Sequence, residues 1–116
     1  MRDSNCIIAT GTVVSPGQVT GPVKVVKNSE DVKKIGPGDI MVVSQSSPAF
    51  AIGVMNAAGL ICEKGGILTH ICIVAKELGI PCMTQVKDAA ELLPENSIIT
   101  LNASKGMIYE KPGQVN

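Results

Sequence analysis

The chain has 116 residues and a mass of 12.0 kDa, and its ten basic and ten acidic side chains give a formal net charge of zero at pH 7. This balance offers no electrostatic support for binding nucleic acid or a membrane surface, and one Tyr, one Phe and no Trp leave no aromatic platform for stacking bases. No apolar run approaches the length of a transmembrane span. We therefore expect a single domain over residues 1–116, with neither nucleic acid nor a membrane as a partner.

The first half of the chain alternates short β-branched runs with turn signals. We predict strands at 6–14, 21–26 and 40–44 and helices at 31–34 and 48–58. The first two strands are expected to pair with each other, because Ser15, Pro16 and Gly17 form a turn between them. Asn28 or Ser29 is expected to cap the first short helix, since both residue types suit that position.

The second half adds strands at 60–63, 82–85, 98–101 and 107–110 and helices at 70–78 and 87–93. The longer helix carries apolar residues at i, i+3, i+4 and i+7, the stripe of a helix packed on a core: Ile71, Val74, Ala75 and Leu78. Gly79 ends this helix, and Pro81 prevents its resumption. Together the elements predict an α/β fold.

The chain has one histidine, His70, and it falls in the first turn of that helix. Gly65 and Gly66 precede it in a loop that is free to adopt positive φ, and Thr69 is placed to cap the first turn. The unpaired amides of a helix start favour a neutral imidazole and would help to hold the oxygens of a phosphorylated ring. His70 also lies at the rim of the apolar stripe, so we expect it to be reachable from outside. On spacing alone, a histidine without chemistry is the commoner case.

The stretch from Gly65 to Pro81, GGILTHICIVAKELGIP, resembles the phosphohistidine signature of the phosphoenolpyruvate-utilising enzymes. That family includes phosphoenolpyruvate synthase, pyruvate phosphate dikinase, enzyme I of the sugar phosphotransferase system and rifampin phosphotransferase. Its signature has two glycines, three further residues, the phospho-accepting histidine, an aliphatic stretch and Gly-Ile-Pro. The similarity extends over nearly the whole chain, through GTVVSPGQVTGPVKVV, GDIMVVSQSSPAFAIGVMNAAGLICEKGG and SIITLNASKGMIYE.

The resemblance implies a three-layer β/β/α swivelling phosphohistidine domain, a mobile arm that carries a phosphoryl group between active sites. His70 would accept the group, and Gly65, Gly66, Thr69 and Ser46 would support the phosphate. The implied partners are an ATP-grasp nucleotide-binding domain and a phosphoenolpyruvate- or pyruvate-binding domain. The chain has no P-loop and neither an acidic metal cluster nor an arginine near the histidine. We therefore expect no metal or cofactor on this domain, and Mg²⁺ on the partner domains.

Ile73 and Glu77 are expected on the same outward side of the helix as His70, which makes them candidates for docking a partner. The alternative for Ile73 is that the neighbouring loop at 46–50 covers it. A second function also stays open, that of a non-catalytic swivel or interaction domain that retains the fold without phosphotransfer. Its basis is a set of departures from the family pattern: Leu68, Ala49 and Phe50.

Four cysteines, at positions 6, 62, 72 and 82, form no Cys-x-x-Cys pair, and three of them lie in apolar runs. We expect reduced cysteines that pack as small core residues. A zinc site that includes His70 is disfavoured, because its ligands would come from separate elements without close pairs. The apolar content is sufficient for a core without disulfides and no secretory leader is visible, so we expect a cytoplasmic protein.

Overall fold

The computed structural model describes residues 7–110 of the protein. The strands in this range are β1 (Ile7–Thr10), β2 (Thr12–Ser15), β3 (Gln18–Val26), β4 (Ile40–Val43), β5 (Gly59–Cys62), β6 (Cys82–Thr84), β7 (Ile98–Asn102) and β8 (Met107–Glu110). The α-helices are α1 (Ala51–Asn56), α2 (His70–Leu78) and α3 (Ala89–Leu92), and 3₁₀ helices lie at Ser29–Lys34 and Pro48–Phe50. None of these helices has the length and apolar character needed to cross a membrane.

The eight strands follow the order β1-β8-β7-β3-β4-β5-β6-β2. The long strand β3 joins two sheets, because residues 18–22 pair with β7 in antiparallel and residues 23–26 pair with β4 in parallel. One sheet continues through β4, β5 and β6 in parallel and ends with antiparallel β2. The other sheet is antiparallel throughout and ends with β1. A single strand therefore belongs to two layers.

The parallel sheet is buried on both faces, as its continuous apolar runs require. Alternate residues of β4 enter different cores. Met41 and Val43 belong to the core under α1 and α2, whereas Ile40 and Val42 belong to the core against the antiparallel sheet. Helices, parallel sheet and antiparallel sheet thus form three layers. This architecture confirms the predicted α/β class and the β/β/α arrangement.

The predicted pairing of the first two strands is wrong. Gly11 divides the first β-branched run into β1 and β2, and it is packed so closely that an added Cβ would lie 2.7 Å from the Thr84 carbonyl oxygen. β1 pairs with β8 and β2 pairs with β6, at opposite ends of the strand order. The turn at 15–17 therefore connects strands that are not neighbours. Cys6, the first residue of the predicted strand, lies outside the described residues.

The predicted helix at 31–34 is present as a 3₁₀ helix over Ser29–Lys34. Of the two predicted caps, Asn28 is the one used, because its side-chain oxygen accepts from the N–H groups of Glu30 and Asp31 at 3.0 and 3.1 Å. Because the 3₁₀ helix begins at Ser29, the residue before it, Asn28, is the one in the capping position.

Two other helices are shorter than predicted. Pro48 does begin a helical segment, but its first turn is a 3₁₀ helix and α1 ends at Asn56 rather than near residue 58. The helix predicted at 87–93 is reduced to α3, since Asp88 adopts a left-handed conformation with φ 57° just before it. The strand predicted at 21–26 begins three residues earlier, at Gln18. The strands predicted from residue 40 onward agree with the observed ones to within one residue at each end.

Candidate functional site

The carboxyl ends of β4, β5 and β6 lie side by side at one edge of the parallel sheet. The loop that follows β5 begins against the end of β4, because the N–H of Glu63 donates to the Val43 carbonyl oxygen at 2.9 Å and that of Lys64 to the Ser44 carbonyl oxygen at 3.0 Å. Open α/β sheets bind their ligands at this kind of edge. The loop that leads to His70 therefore occupies the position where such a fold supports function.

His70 is the first residue of α2, and its side chain is exposed. The opposite side of the helix packs on the parallel sheet through Ile71, Cys72 and Ala75, all fully buried. Thr69 stands just outside the helix, and its carbonyl oxygen accepts the first helical bond, from the Ile73 N–H at 3.0 Å. The predicted position of His70, at the rim and reachable from outside, is confirmed.

The far end of α2 behaves as predicted. Gly79 takes a left-handed conformation with φ 74°, and its N–H donates to the carbonyl oxygens of Ala75 and Lys76. The predicted apolar stripe is only partly right. Cys72 joins the buried side, whereas Leu78 is 50% exposed because it is the last residue of the helix, next to the Gly79 turn. The helix is thus anchored mainly through its first two turns, close to His70.

The two glycines before the helix differ in conformation. Gly65 has φ 106°, and a Cβ added to it would lie 2.9 Å from the Thr69 Cγ2. Gly66 lies outside the positive-φ region, and nothing would lie within 4 Å of its added Cβ. The prediction of positive φ therefore holds for Gly65 alone. Gly66 instead leaves its backbone open to an approaching group.

The Thr69 side chain does not cap α2, so that prediction is wrong. Its hydroxyl donates backward to the carbonyl oxygen of Gly66 at 3.0 Å, and its N–H donates to the same oxygen at 3.2 Å. The reason is the tight turn between the two residues, which brings that carbonyl within reach of the hydroxyl before the helix begins. Thr69 therefore closes the loop and leaves the helix amides free.

Several backbone donors around His70 are consequently unpaired. Within residues 7–110, the N–H groups of Gly66, His70 and Ile71 donate to no protein acceptor. The first N–H groups of any helix lack partners inside the helix, and together with the helix dipole they favour an anion nearby. An exposed imidazole therefore stands beside amides that are able to bind negatively charged oxygens.

Thr84 contacts this loop from β6, and the sequence analysis missed it. It ends β6, is fully buried, and its hydroxyl donates to the Gly65 carbonyl oxygen at 2.8 Å. The available signal was a hydroxyl in the apolar run that follows Pro81, since a buried hydroxyl requires a partner. The partner itself lies 19 residues earlier in the chain.

The remaining predicted site residues are Ser46, Ile73 and Glu77, and none of them is hydrogen-bonded to the His70 side chain within residues 7–110. Ser46 belongs to the loop after β4 and lines a cavity of about 160 Å³ with Lys27 and Phe50, but no hydrogen bond joins its side chain to the loop before α2. Ile73 and Glu77 are exposed on α2, as predicted. Ile73 retains 39% exposure, so the alternative in which the loop at 46–50 covers it is wrong.

Three cysteines form a buried group beneath the loop. Cys62, Cys72 and Cys82 are fully buried, as predicted, and the Sγ atoms of Cys62 and Cys72 are 3.9 Å apart. The hydrogen bond with Cys72, together with burial, raises the pKa of the Cys62 thiol and that of the Cys82 thiol well above the usual range. Hydrogen bonds with Cys62 and Cys82 lower the pKa of the Cys72 thiol.

No group of three His, Cys, Asp or Glu side chains in residues 7–110 is arranged to hold a metal ion. The three thiols instead complete the core between β5, β6 and α2.

The fold and this loop define a small three-layer domain that presents one exposed histidine at a helix start. The family model for the mobile domain of PEP-utilising enzymes matches residues 35–106. The chain belongs to this family. The matched range includes the loop, His70, the whole of α2 and β6, and the resemblance seen in the sequence is thereby confirmed.

Relatives named as phosphoenolpyruvate synthases match most of this chain. It is 36% identical over 104 residues to a probable phosphoenolpyruvate synthase of Methanothermobacter thermautotrophicus, a match that covers 90% of this chain and 15% of the relative. It is 36% identical over 98 residues to the uncharacterized phosphotransferase YvkC of Bacillus subtilis, a match that covers 84% of this chain and 12% of the relative. The phosphoenolpyruvate synthase of Escherichia coli is 31% identical over 100 residues, a match that covers 86% of this chain and 13% of the relative. The chain thus spans a small part of each relative's length, and each relative has a large remainder beyond it.

Solved structures share the fold at low sequence identity. An NMR structure of enzyme I superposes with a TM-score of 0.57 at 14% identity, covering 66% of this chain and 32% of that protein. The holo form of aconitase X from Thermococcus kodakaraensis superposes with a TM-score of 0.61 at 14% identity, covering 87% of this chain and 95% of the matched chain. At these identities the similarity establishes the architecture alone.

Proposed function

We propose that the domain is a phosphoryl carrier, which accepts a phosphoryl group on His70 and passes it between active sites on partner domains or chains. The observation that carries the proposal is the exposed His70 side chain at the first position of α2, beside the unpaired amides of Gly66, His70 and Ile71. Family membership supports the same role, since the relatives' names refer to phosphoenolpyruvate synthesis and phosphotransfer.

The chemical step requires little from the imidazole. In its neutral form one ring nitrogen has a free electron pair and the other retains its proton. The free nitrogen attacks phosphorus in line, a P–N bond forms, and the P–O bond of the donor breaks with its electrons leaving on the donor oxygen. With phosphoenolpyruvate as donor, the leaving group is the enolate of pyruvate, which then takes up a proton. Delivery to the next acceptor reverses these events with an acceptor oxygen as the nucleophile.

The domain supplies the acceptor and some hydrogen-bond donors but little neutralising charge. The loop between β5 and α2 carries one basic side chain, Lys64, and one acidic side chain, Glu63. Transfer of a phosphoryl group needs metal and cationic groups that offset charge on its oxygens. We therefore place Mg²⁺ and the binding sites for ATP and phosphoenolpyruvate or pyruvate on the partner domains, an ATP-grasp domain among them.

Exposed apolar side chains flank His70 and suit transient docking into a partner cleft. Leu68 is 79% exposed in the loop and Ile73 is 39% exposed one turn into α2. Glu77 follows on the exposed side of the same helix. Small exposed apolar patches beside a reactive group are characteristic of contact surfaces. A carrier must release each partner after transfer, and contact through a few exposed apolar side chains fits that requirement.

Intact-mass spectrometry and phosphorus NMR test the proposal. The chain is mixed at alkaline pH with phosphoenolpyruvate, Mg²⁺ and a small amount of the Methanothermobacter relative as the donor enzyme, because phosphohistidine survives in alkali. We expect one phosphoryl group on the chain, absent from His70→Ala, and the phosphorus shift identifies the nitrogen. An intact fold that stays unlabelled with several such enzymes would refute the carrier role and favour a non-catalytic swivel or interaction domain.

A further inference from the structure

The hydroxyl of Thr84 contacts the backbone of the loop that precedes His70. Thr84 is fully buried, and its surroundings include the fully buried thiol of Cys72. Its Oγ1 donates to the carbonyl oxygen of Gly65 at 2.8 Å. A hydroxyl in such surroundings is costly without a partner, so the contact fixes both groups. The carbonyl of Gly65 is therefore held toward the protein interior.

The orientation of this carbonyl determines the orientation of the next amide. The peptide unit between Gly65 and Gly66 is planar and trans, so its C=O and N–H point in opposite directions. Because the Gly65 carbonyl points inward to Thr84, the Gly66 N–H points outward. In residues 7–110 this N–H has no protein acceptor, Gly66 is exposed, and nothing lies within 4 Å of where its Cβ would be.

The following peptide unit is fixed as well. The Gly66 carbonyl oxygen accepts from the Thr69 hydroxyl at 3.0 Å and from the Thr69 N–H at 3.2 Å. Two threonine hydroxyls, one from β6 and one from the end of the loop, thus hold two successive glycine carbonyls. Glycine alone would leave these peptide units free to rotate. The two hydrogen bonds therefore hold the Gly66 N–H in a fixed orientation in the loop before α2.

We propose that Thr84 is a positioning residue for the phosphoryl group on His70, and that it acts by turning the Gly66 N–H outward to donate to a phosphoryl oxygen. This inference rests on the proposed carrier function and names a part of its phosphate-binding machinery. Donors that are oriented in advance stabilise a developing anion without reorganisation at the moment of transfer. Without the Thr84 hydroxyl, the Gly65 carbonyl would lose its donor and rotate toward water, which would turn the Gly66 N–H away.

The test compares Thr84→Val, which keeps the shape of the side chain and removes the hydroxyl, with Thr84→Ser, which keeps the hydroxyl. Thr100→Val is a matched control, because Thr100 is also a buried strand threonine whose hydroxyl bonds to another side chain, Thr20, in the antiparallel sheet. The donor is phosphoramidate, a small reagent that needs no partner domain. The rate of phosphohistidine formation is followed by phosphorus NMR, and the Gly66 amide is observed in ¹⁵N-labelled protein.

We expect Thr84→Val to form phosphohistidine about 10-fold more slowly, which is less than the cost of about 100-fold or more for deleting an oriented donor, because the Gly66 N–H is turned away and not removed. Thr84→Ser and Thr100→Val should stay near the wild type. On phosphorylation, the Gly66 amide proton should move downfield in the wild type and in Thr84→Ser but not in Thr84→Val. If Thr84 had a purely structural role, the Gly66 amide of Thr84→Val would shift on phosphorylation as it does in the wild type. If Thr84→Val fails to fold, the wild type and Thr84→Ser decide, since an unmoved Gly66 amide in both would overturn the inference.

The two proposals fail in different ways. A wild-type chain that forms no phosphohistidine on His70 from phosphoramidate or from the donor enzyme would overturn the carrier function and this inference with it. A wild-type chain that is labelled, with Thr84→Val equal to it in rate and in the Gly66 shift, would overturn the role of Thr84 alone and leave the carrier function intact.

Discussion

Gly65 and Gly66 are adjacent, yet the structure predicts that only Gly65 is sensitive to replacement by alanine. Gly65 has φ 106°, where residues with a Cβ are strained, and the new Cβ would lie 2.9 Å from the Thr69 Cγ2. Gly66 has neither constraint, because its φ is not positive and its added Cβ would meet nothing within 4 Å. We expect Gly65→Ala to lower the free energy of unfolding and Gly66→Ala to leave it nearly unchanged.

The expected loss for Gly65→Ala has two parts. Holding alanine at this φ costs about 2 kcal/mol, and relieving the contact with Thr69 costs about a further 1 kcal/mol. A total of about 3 kcal/mol corresponds to a fall in Tm of about 10 °C for a domain of this length. For Gly66→Ala the change should stay within about 0.5 kcal/mol, as for other unconstrained surface substitutions.

Urea unfolding followed by circular dichroism measures both variants, and a double variant separates the two parts. Thr69→Ser removes the Cγ2 methyl and keeps the hydroxyl. In the Gly65→Ala background it should restore about 1 kcal/mol of stability by relieving the steric contact, and the cost of holding alanine at this φ should remain. Equal destabilisation by the two alanines would refute the reasoning. So would a double variant no more stable than Gly65→Ala, which would show that Thr69 does not crowd the loop.

Three further predictions concern the scaffold. The hydrogen bond from Lys34 at 2.8 Å lowers the pKa of Glu95 below its ordinary value of 4.5, so this contact stabilises the fold above that pH and is lost as pH falls through the lowered value. Because both side chains are partly exposed, Glu95→Gln should lower the free energy of unfolding by only about 0.5 kcal/mol at neutral pH. Urea unfolding should show that the wild type and the variant become equally stable in acid. A difference in stability that persists in acid would contradict the role assigned to the Lys34–Glu95 contact. Asn28→Ala should lower stability by about 1 kcal/mol through loss of the cap, whereas Ser29→Ala should not, and the reverse order in thermal unfolding would contradict the observed cap. In a Cys6→Ser background the three buried thiols should resist a thiol reagent in the folded protein and react after denaturation, so rapid reaction of the native form would disprove their burial.

The helix that carries His70 could be predicted from sequence because its signals are local. The glycine at its end, the proline beyond it and the apolar spacing all lie within a few residues of the backbone they shape. The exposure of His70 followed from the same spacing. The lack of a cap from the Thr69 side chain did not follow from the spacing, because the hydroxyl oxygen could accept from a helix N–H or the hydroxyl could donate to the Gly66 carbonyl oxygen, and the turn geometry decided between them.

Strand pairing was not accessible in the same way. β1 and β2 take partners near residues 107–110 and 82–84, and the short turn at 15–17 offered a local pairing that the fold does not use. The strand order depends on which apolar faces are covered in three dimensions, and this is a property of the whole chain. The bond from Thr84 to Gly65 was missed for the same reason, because a buried hydroxyl indicates that a partner exists without saying where.

Gly11 joins the two terminal strands of the sheet order, and this connection has a consequence for the proposed carrier role. β1 and β2 are the two outermost strands, each four residues long, and they follow one another through a single residue. Short outer strands offer little template for another chain to add a strand, which is a common route to aggregation. In the proposed carrier role, these short strands would protect the domain against joining the wrong partner through its backbone.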